Sequence, residues 1–302
     1  MKIKLNGYGD EKMFSKNRVK VDFEKELRTN FSGYNTTLTR WWNIRACNKS
    51  HCNAYRNIAN YVTTHVDLTP SLVIDYGCGT GRLLGEIAVR FVDTKFIGID
   101  GSSAMLKTAK TYLKNKAPEL LDRINLLKAP LPIRLLLGKR ADLVTFTFPH
   151  ILSNLYDLDL NSFLELLTYS EIENAMILAE DEGMEEVSNE YNDEDPDLLQ
   201  SLLVNRVISK NLRSLVKRGG YCLRVELANA RREEFPEIFQ KRFSFQEGSL
   251  DKSLSDQNIQ QPFELVRSEY HRSKVMEDAY EQTGDESDRK GGYWISLLRA
   301  RG

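Results

Sequence analysis

Residues 72–100, LVIDYGCGTGRLLGEIAVRFVDTKFIGID, constrain the fold of this chain more than any other stretch. A short apolar run ends in Asp75. Gly77, Gly79 and Gly81 follow, separated only by Cys78 and Thr80. From 82 to about 91, Leu83, Leu84, Ile87, Ala88 and Phe91 recur at helical spacing, and a second apolar run over 96–99 ends in Asp100. The text reads strand, glycine turn, helix, strand. Glycine allows positive φ and lets a ligand approach the backbone closely. In an open α/β sheet such a turn lies at the carboxyl ends of the strands, where ligands bind. An acid at the tip of the next strand suits the hydroxyls of a ribose. A glycine turn alone is weak evidence. Here it follows a strand, opens a helix and is answered by a second strand-end acid.

These motifs, VIDYGCGTG and FIGIDGSSAML, resemble the class I S-adenosylmethionine-dependent methyltransferases. The spacing differs from the dinucleotide pattern G-x-G-x-x-G. The resemblance is good over about 70–150 and looser over 205–227 and 263–300. It implies that Gly77 and Gly79 flank the methionine part of the cofactor, that Asp100 holds the ribose, and that Cys78, Gly81 and Gly101 are further cofactor contacts. Asp75 would orient the loop and the cofactor's amino group. The family often has an acid after strand three to read adenine. This chain has Lys128 and Ala129, which leaves backbone groups near Ala129 for that task.

The fold expected is a doubly wound seven-stranded, mostly parallel α/β sheet in the order 3-2-1-4-5-7-6, with the last strand antiparallel. Residues 1–69 are expected as an N-terminal helical lid. Residues 70–302 would be the cofactor domain, with insertions at about 155–200 and 228–262. By the resemblance, the lid completes the substrate pocket, which makes Tyr34, Trp41, Trp42 and Arg45 candidate substrate contacts. Ordinary packing of the two tryptophans onto the sheet is the alternative reading.

Strand four is expected over 141–148, ending in Phe148, Pro149 and His150. In this fold its tip faces the transferred methyl group, so Phe148 is a candidate cofactor contact. His150 is a candidate general base, or else a helix cap. Alignment alone can also carry methyl transfer. There is no Asn-Pro-Pro-Tyr signature, and the reading is methyl transfer to an O or N atom of a small molecule. An RNA or protein methyltransferase, or a binding protein without catalysis, are the competing readings.

Composition fits a cytoplasmic protein. The net charge is −1, so no global field draws nucleic acid. Four cysteines in 302 residues fit a reducing compartment. The start lacks the apolar core of a secretory signal, and no stretch has the apolar length of a membrane span. Cys47, His51 and Cys52 lack a second pair at zinc-site spacing, so no metal is expected. Residues 180–197 hold ten acids and no base, which reads as a solvated loop or an acidic rim that attracts a cationic substrate.

Overall fold

The computed structural model describes residues 39–40, 43, 46–47, 49–129, 140–148, 198–228, 263–272 and 292–301. Their elements run α1 (Lys49–His65), β1 (Leu72–Tyr76), α2 (Arg82–Ala88), β2 (Lys95–Asp100), α3 (Ser103–Lys116), a 3₁₀ turn (Pro118–Asp122), β3 (Ile124–Lys128), β4 (Ala141–Thr147), α4 (Leu198–Leu215), β5 (Val216–Ala228), β6 (Phe263–Arg272) and β7 (Gly292–Ala300). The seven strands form one sheet in the order β3-β2-β1-β4-β5-β7-β6, as expected. β1 to β5 pair in parallel. β7 runs antiparallel between β5 and β6.

Burial on both faces explains the apolar strands. One face packs Val73, Leu143, Leu223 and Val225 against Ile58 and Val62 of α1 and Leu84 and Ile87 of α2. The other packs Ile74, Val144, Phe146 and Cys222 against Ile208 and Leu212 of α4. Such residues are each worth roughly 1.5–3 kcal/mol of burial.

α2 is shorter than its apolar pattern promised. The helix stops at Ala88, and the N–H groups of Arg90 and Phe91 both turn back to the Ile87 carbonyl. Arg123 supplies the reason. Its guanidinium donates to the carbonyls of Ala88, Phe91 and Thr94 at 2.9–3.0 Å, closing the helix end with a cation where the helix dipole favours one. α3 starts at Ser103. Ser102 caps it, its Oγ accepting the Met105 N–H at 3.2 Å.

β5 begins at Val216. The Lys217-Arg218-Gly219-Gly220 stretch is absorbed as an irregularity in its pairing with β4, with Gly219 at φ 72. At this amino end of the sheet, Asp142 of β4 gathers three strands. One carboxylate oxygen accepts the N–H and hydroxyl of Ser71 and the N–H of Leu72, and the other meets Lys217 at 2.7 Å. These contacts hold the Asp142 carboxyl down at about 2, against the upward push of burial.

Among the described residues, no helix is long and apolar enough to cross a membrane. The acidic stretch at 180–197 and residues 229–262 lie outside the described residues.

Candidate functional site

The site sits at the carboxyl ends of β1, β2 and β4. Past Tyr76 the chain folds back over β2, and the N–H groups of Gly77 and Cys78 both donate to the Ile99 carbonyl at 2.8 Å. Gly77, Gly79 and Gly81 have φ of 78, 51 and 73. Those values explain three glycines in five residues, since other residues adopt them only with strain. The tight spot is Gly81, where a Cβ would lie 3.0 Å from that of Ala109. The open spot is Gly79, where a Cβ would meet nothing within 4 Å.

Asp100 does more than the sequence suggested. Its Oδ2 accepts the Gly79 N–H at 2.9 Å and its Oδ1 accepts the Ser102 N–H at 2.8 Å. One carboxylate therefore fixes the glycine turn to the start of α3. Each oxygen keeps a second lone pair for a ligand hydroxyl. Burial raises the Asp100 carboxyl to about 6, although the two N–H donors pull the other way. Ala129 is buried beside it, and its N–H donates to the Asp100 carbonyl at 3.0 Å.

Asp75 is 3% exposed and accepts a 2.7 Å hydrogen bond from the Thr145 hydroxyl, itself fully buried on β4. Desolvation raises the Asp75 carboxyl to about 7, opposed by Thr145 and assisted by the nearby Asp100 charge. Thr145 escaped the sequence reading. Its signal is present in ADLVTFTF, where a hydroxyl interrupts an apolar strand in register with Asp75. Cys78 is buried, and desolvation with the two acids holds its thiol well above its ordinary range.

Arg82 is a second residue the sequence did not flag. It opens α2, directly after Gly81. Its Nη2 donates to Asn43 Oδ1 at 2.9 Å and to Cys47 Sγ at 2.8 Å, and its guanidinium lies 3.9 Å from the Tyr112 ring centroid. It thus ties the N-terminal segment to the cofactor turn. Cys52 donates its thiol hydrogen to the Ala46 carbonyl, and His51 is buried.

The structure brings Asp75, Gly77, Cys78, Gly79, Gly81, Asp100, Gly101 and Ala129 around one turn. Phe148 stands at the tip of β4, where its N–H donates to the Val225 carbonyl at 2.9 Å. Tyr34, Trp41, Trp42, Arg45 and His150 lie outside the described residues.

This sheet order, with acids near the ends of β1 and β2 around a glycine turn, is the fold of the class I methyltransferases. Residues 73–165 match the family model described as a methyltransferase domain. A trans-aconitate 2-methyltransferase of Methylobacterium radiotolerans is 47% identical over 53 residues, 18% of this chain and 20% of that protein. A putative methyltransferase, 235L, of Invertebrate iridescent virus 6 is 31% identical over 86 residues, 28% of this chain and 32% of that protein. The chain thus spans a fifth to a third of the length of these curated relatives. Among solved structures, magnesium protoporphyrin IX methyltransferase from Synechocystis PCC 6803 has a TM-score of 0.45 at 14% identity, covering 89% of this chain and 96% of that one.

The residues present fit the cofactor. The turn leaves open space beside Gly79. Asp100 grips the turn at Gly79 with the Asp75 carboxyl close by, and both are held at an electrostatic cost that a cationic ligand relieves. S-adenosylmethionine carries an ammonium and a sulfonium, and its ribose offers hydroxyl donors.

Proposed function

We propose that this chain binds S-adenosylmethionine in the glycine turn and catalyses transfer of its methyl group to an O or N atom of a small molecule. The observation that carries the reading is the pair of raised carboxyls, Asp75 and Asp100, flanking an open Gly79. The cofactor supplies a methyl group bound to a positively charged sulfur. The chain supplies position. Asp100 accepts hydrogen bonds from the ribose while holding Gly79 and Ser102 in place. Asp75, oriented by Thr145, faces the ammonium with a negative charge. Holding donor and acceptor in line is worth several kcal/mol of barrier, even without a proton acceptor. His150 is the candidate for that acceptor, and Tyr34, Trp41, Trp42 and Arg45 are the candidates for the cap.

The name of the Methylobacterium relative points to a small organic acid as acceptor, which agrees with a small-molecule reading. Its match covers too little of that protein to bring the acid itself to this chain. Calorimetry with S-adenosylhomocysteine tests the proposal. Asp100→Ala should weaken binding by about 1.5–3 kcal/mol, the scale of hydrogen bonds to a charged group. Gly79→Val should place a side chain where the ligand lies. Unchanged affinity in both variants would refute the reading.

A further inference from the structure

β4 alternates like any strand. Leu143 and Thr145 point to the α1 side, where Thr145 meets Asp75, while Val144 and Phe146 point to the α4 side. Phe148 continues the Phe146 series, so alternation would send it toward α4. Instead it has φ 49, the one positive value among the described non-glycine residues. The ring swings to the α1 side and packs edge-on against Tyr55 of α1 (5.9 Å, 66°) and Tyr293 of β7 (5.7 Å, 89°). Tyr293 is 2% exposed and stacks on His271 at 5.3 Å and 12°. It is a fixed backing, whereas Tyr55 and Phe148 keep part of their surface open. A bulky residue adopts this conformation only with strain. Such strain at a ligand-facing strand tip points to function. Beside it, the Thr147 hydroxyl oxygen is buried and has no hydrogen-bond partner among the described residues.

We propose that Phe148 and Tyr55 form the wall on which the methyl acceptor lies, and that the acceptor is a planar aromatic or conjugated molecule with a polar group that meets Thr147. This rests on the methyltransferase reading above and narrows it. The left-handed backbone of Phe148 is the positioning device. It places the ring three residues beyond Thr145, about 10 Å along the strand from the pairing with Asp75. Edge-to-face rings favour an aromatic guest over an aliphatic one of equal size, because ring quadrupoles add to area burial.

The test uses two probes with the same carbon skeleton, the planar aromatic 2-naphthol and the saturated decahydro-2-naphthol, titrated into the full chain saturated with S-adenosylhomocysteine. The wild type should bind 2-naphthol roughly 3–10-fold tighter. Phe148→Leu keeps the apolar bulk and the backbone strain but removes the ring. It should abolish that preference, and S-adenosylhomocysteine affinity within about twofold of the wild type would assign the ring to the acceptor rather than to the cofactor contact expected from the sequence. Tyr55→Leu should shrink the preference in the same way, which covers the case of a Phe148 variant that fails to fold. Equal affinity of the wild type for both probes overturns the proposal alone. So does a Phe148→Leu variant that loses S-adenosylhomocysteine as severely as naphthol, because the ring then belongs to the donor site. A wild type that does not bind S-adenosylhomocysteine overturns the donor reading, and this inference with it.

Discussion

Replacing Asp75 with Asn should stabilise the protein in mild alkali while weakening its grip on the cofactor. Asp75 is 3% exposed, and its carboxyl is raised from 3.8 to about 7, first by burial and then by the Asp100 charge. A folded carboxyl that holds its proton more tightly than the unfolded one adds stability at low pH. That contribution is complete below about pH 4 and is lost as the pH rises through about 7. The interval is about three pH units, and each is worth about 1.4 kcal/mol, so ionising Asp75 in place costs at most about 4 kcal/mol. Asn keeps the shape and an oxygen for the Thr145 hydroxyl but removes the charge. Denaturant unfolding at about pH 5 and pH 8 should show a gain of roughly 2–4 kcal/mol for the variant at the higher pH and little change at the lower. The comparison is between variant and wild type at each pH, so other titrating groups cancel. Calorimetry at about pH 8 should show weaker S-adenosylhomocysteine binding, because the ammonium has lost its counter-charge. A variant less stable than wild type at about pH 8, or an equal effect at both pH values, would refute the reasoning.

Wild-type affinity for S-adenosylhomocysteine should rise with pH across about 6 to 7 as Asp100 and Asp75 ionise, which a calorimetric pH series reads directly. Gly81→Ala should cost about 1–3 kcal/mol in chemical denaturation, since its Cβ would press on that of Ala109 at 3.0 Å in a left-handed backbone. Arg82→Ala removes the contacts to Asn43 and Cys47, so amide exchange should quicken around residues 39–47 and lose any protection gained from S-adenosylhomocysteine there. Unchanged exchange in that variant would leave Arg82 as surface packing on Tyr112.

The sheet was legible in the sequence because its signals are local and agree with one another. Apolar runs of strand length alternate with one helical period, glycines sit at each tight turn, and acids close β1 and β2. What was not legible depends on contacts between distant residues. Arg123 ends α2 early through three carbonyls on the far side of a strand. No periodicity encodes that. Thr145 matters because β4 lies beside β1 in a particular register, which the sequence of either strand alone does not state. Asp100 was read as a ligand group from its position, but its grip on the backbone of Gly79 and Ser102 needed coordinates. The turn of Phe148 to the α1 side breaks strand alternation, and a rule built on alternation necessarily misplaces it.

The Asp142 staple sets an order of failure for the molecule. Its carboxyl stays ionised down to about pH 2, so what it adds to stability persists until the pH falls through that value. The acids of the cofactor turn neutralise at about 6 and 7, several pH units sooner. Acidification therefore disarms the carboxyl end of the sheet while the amino end still holds β1, β4 and β5 together. A mildly acid bath should leave a folded protein that has released its ligand and recovers it on neutralisation. Loss of activity and loss of structure then become separate events, written into opposite ends of the same strands.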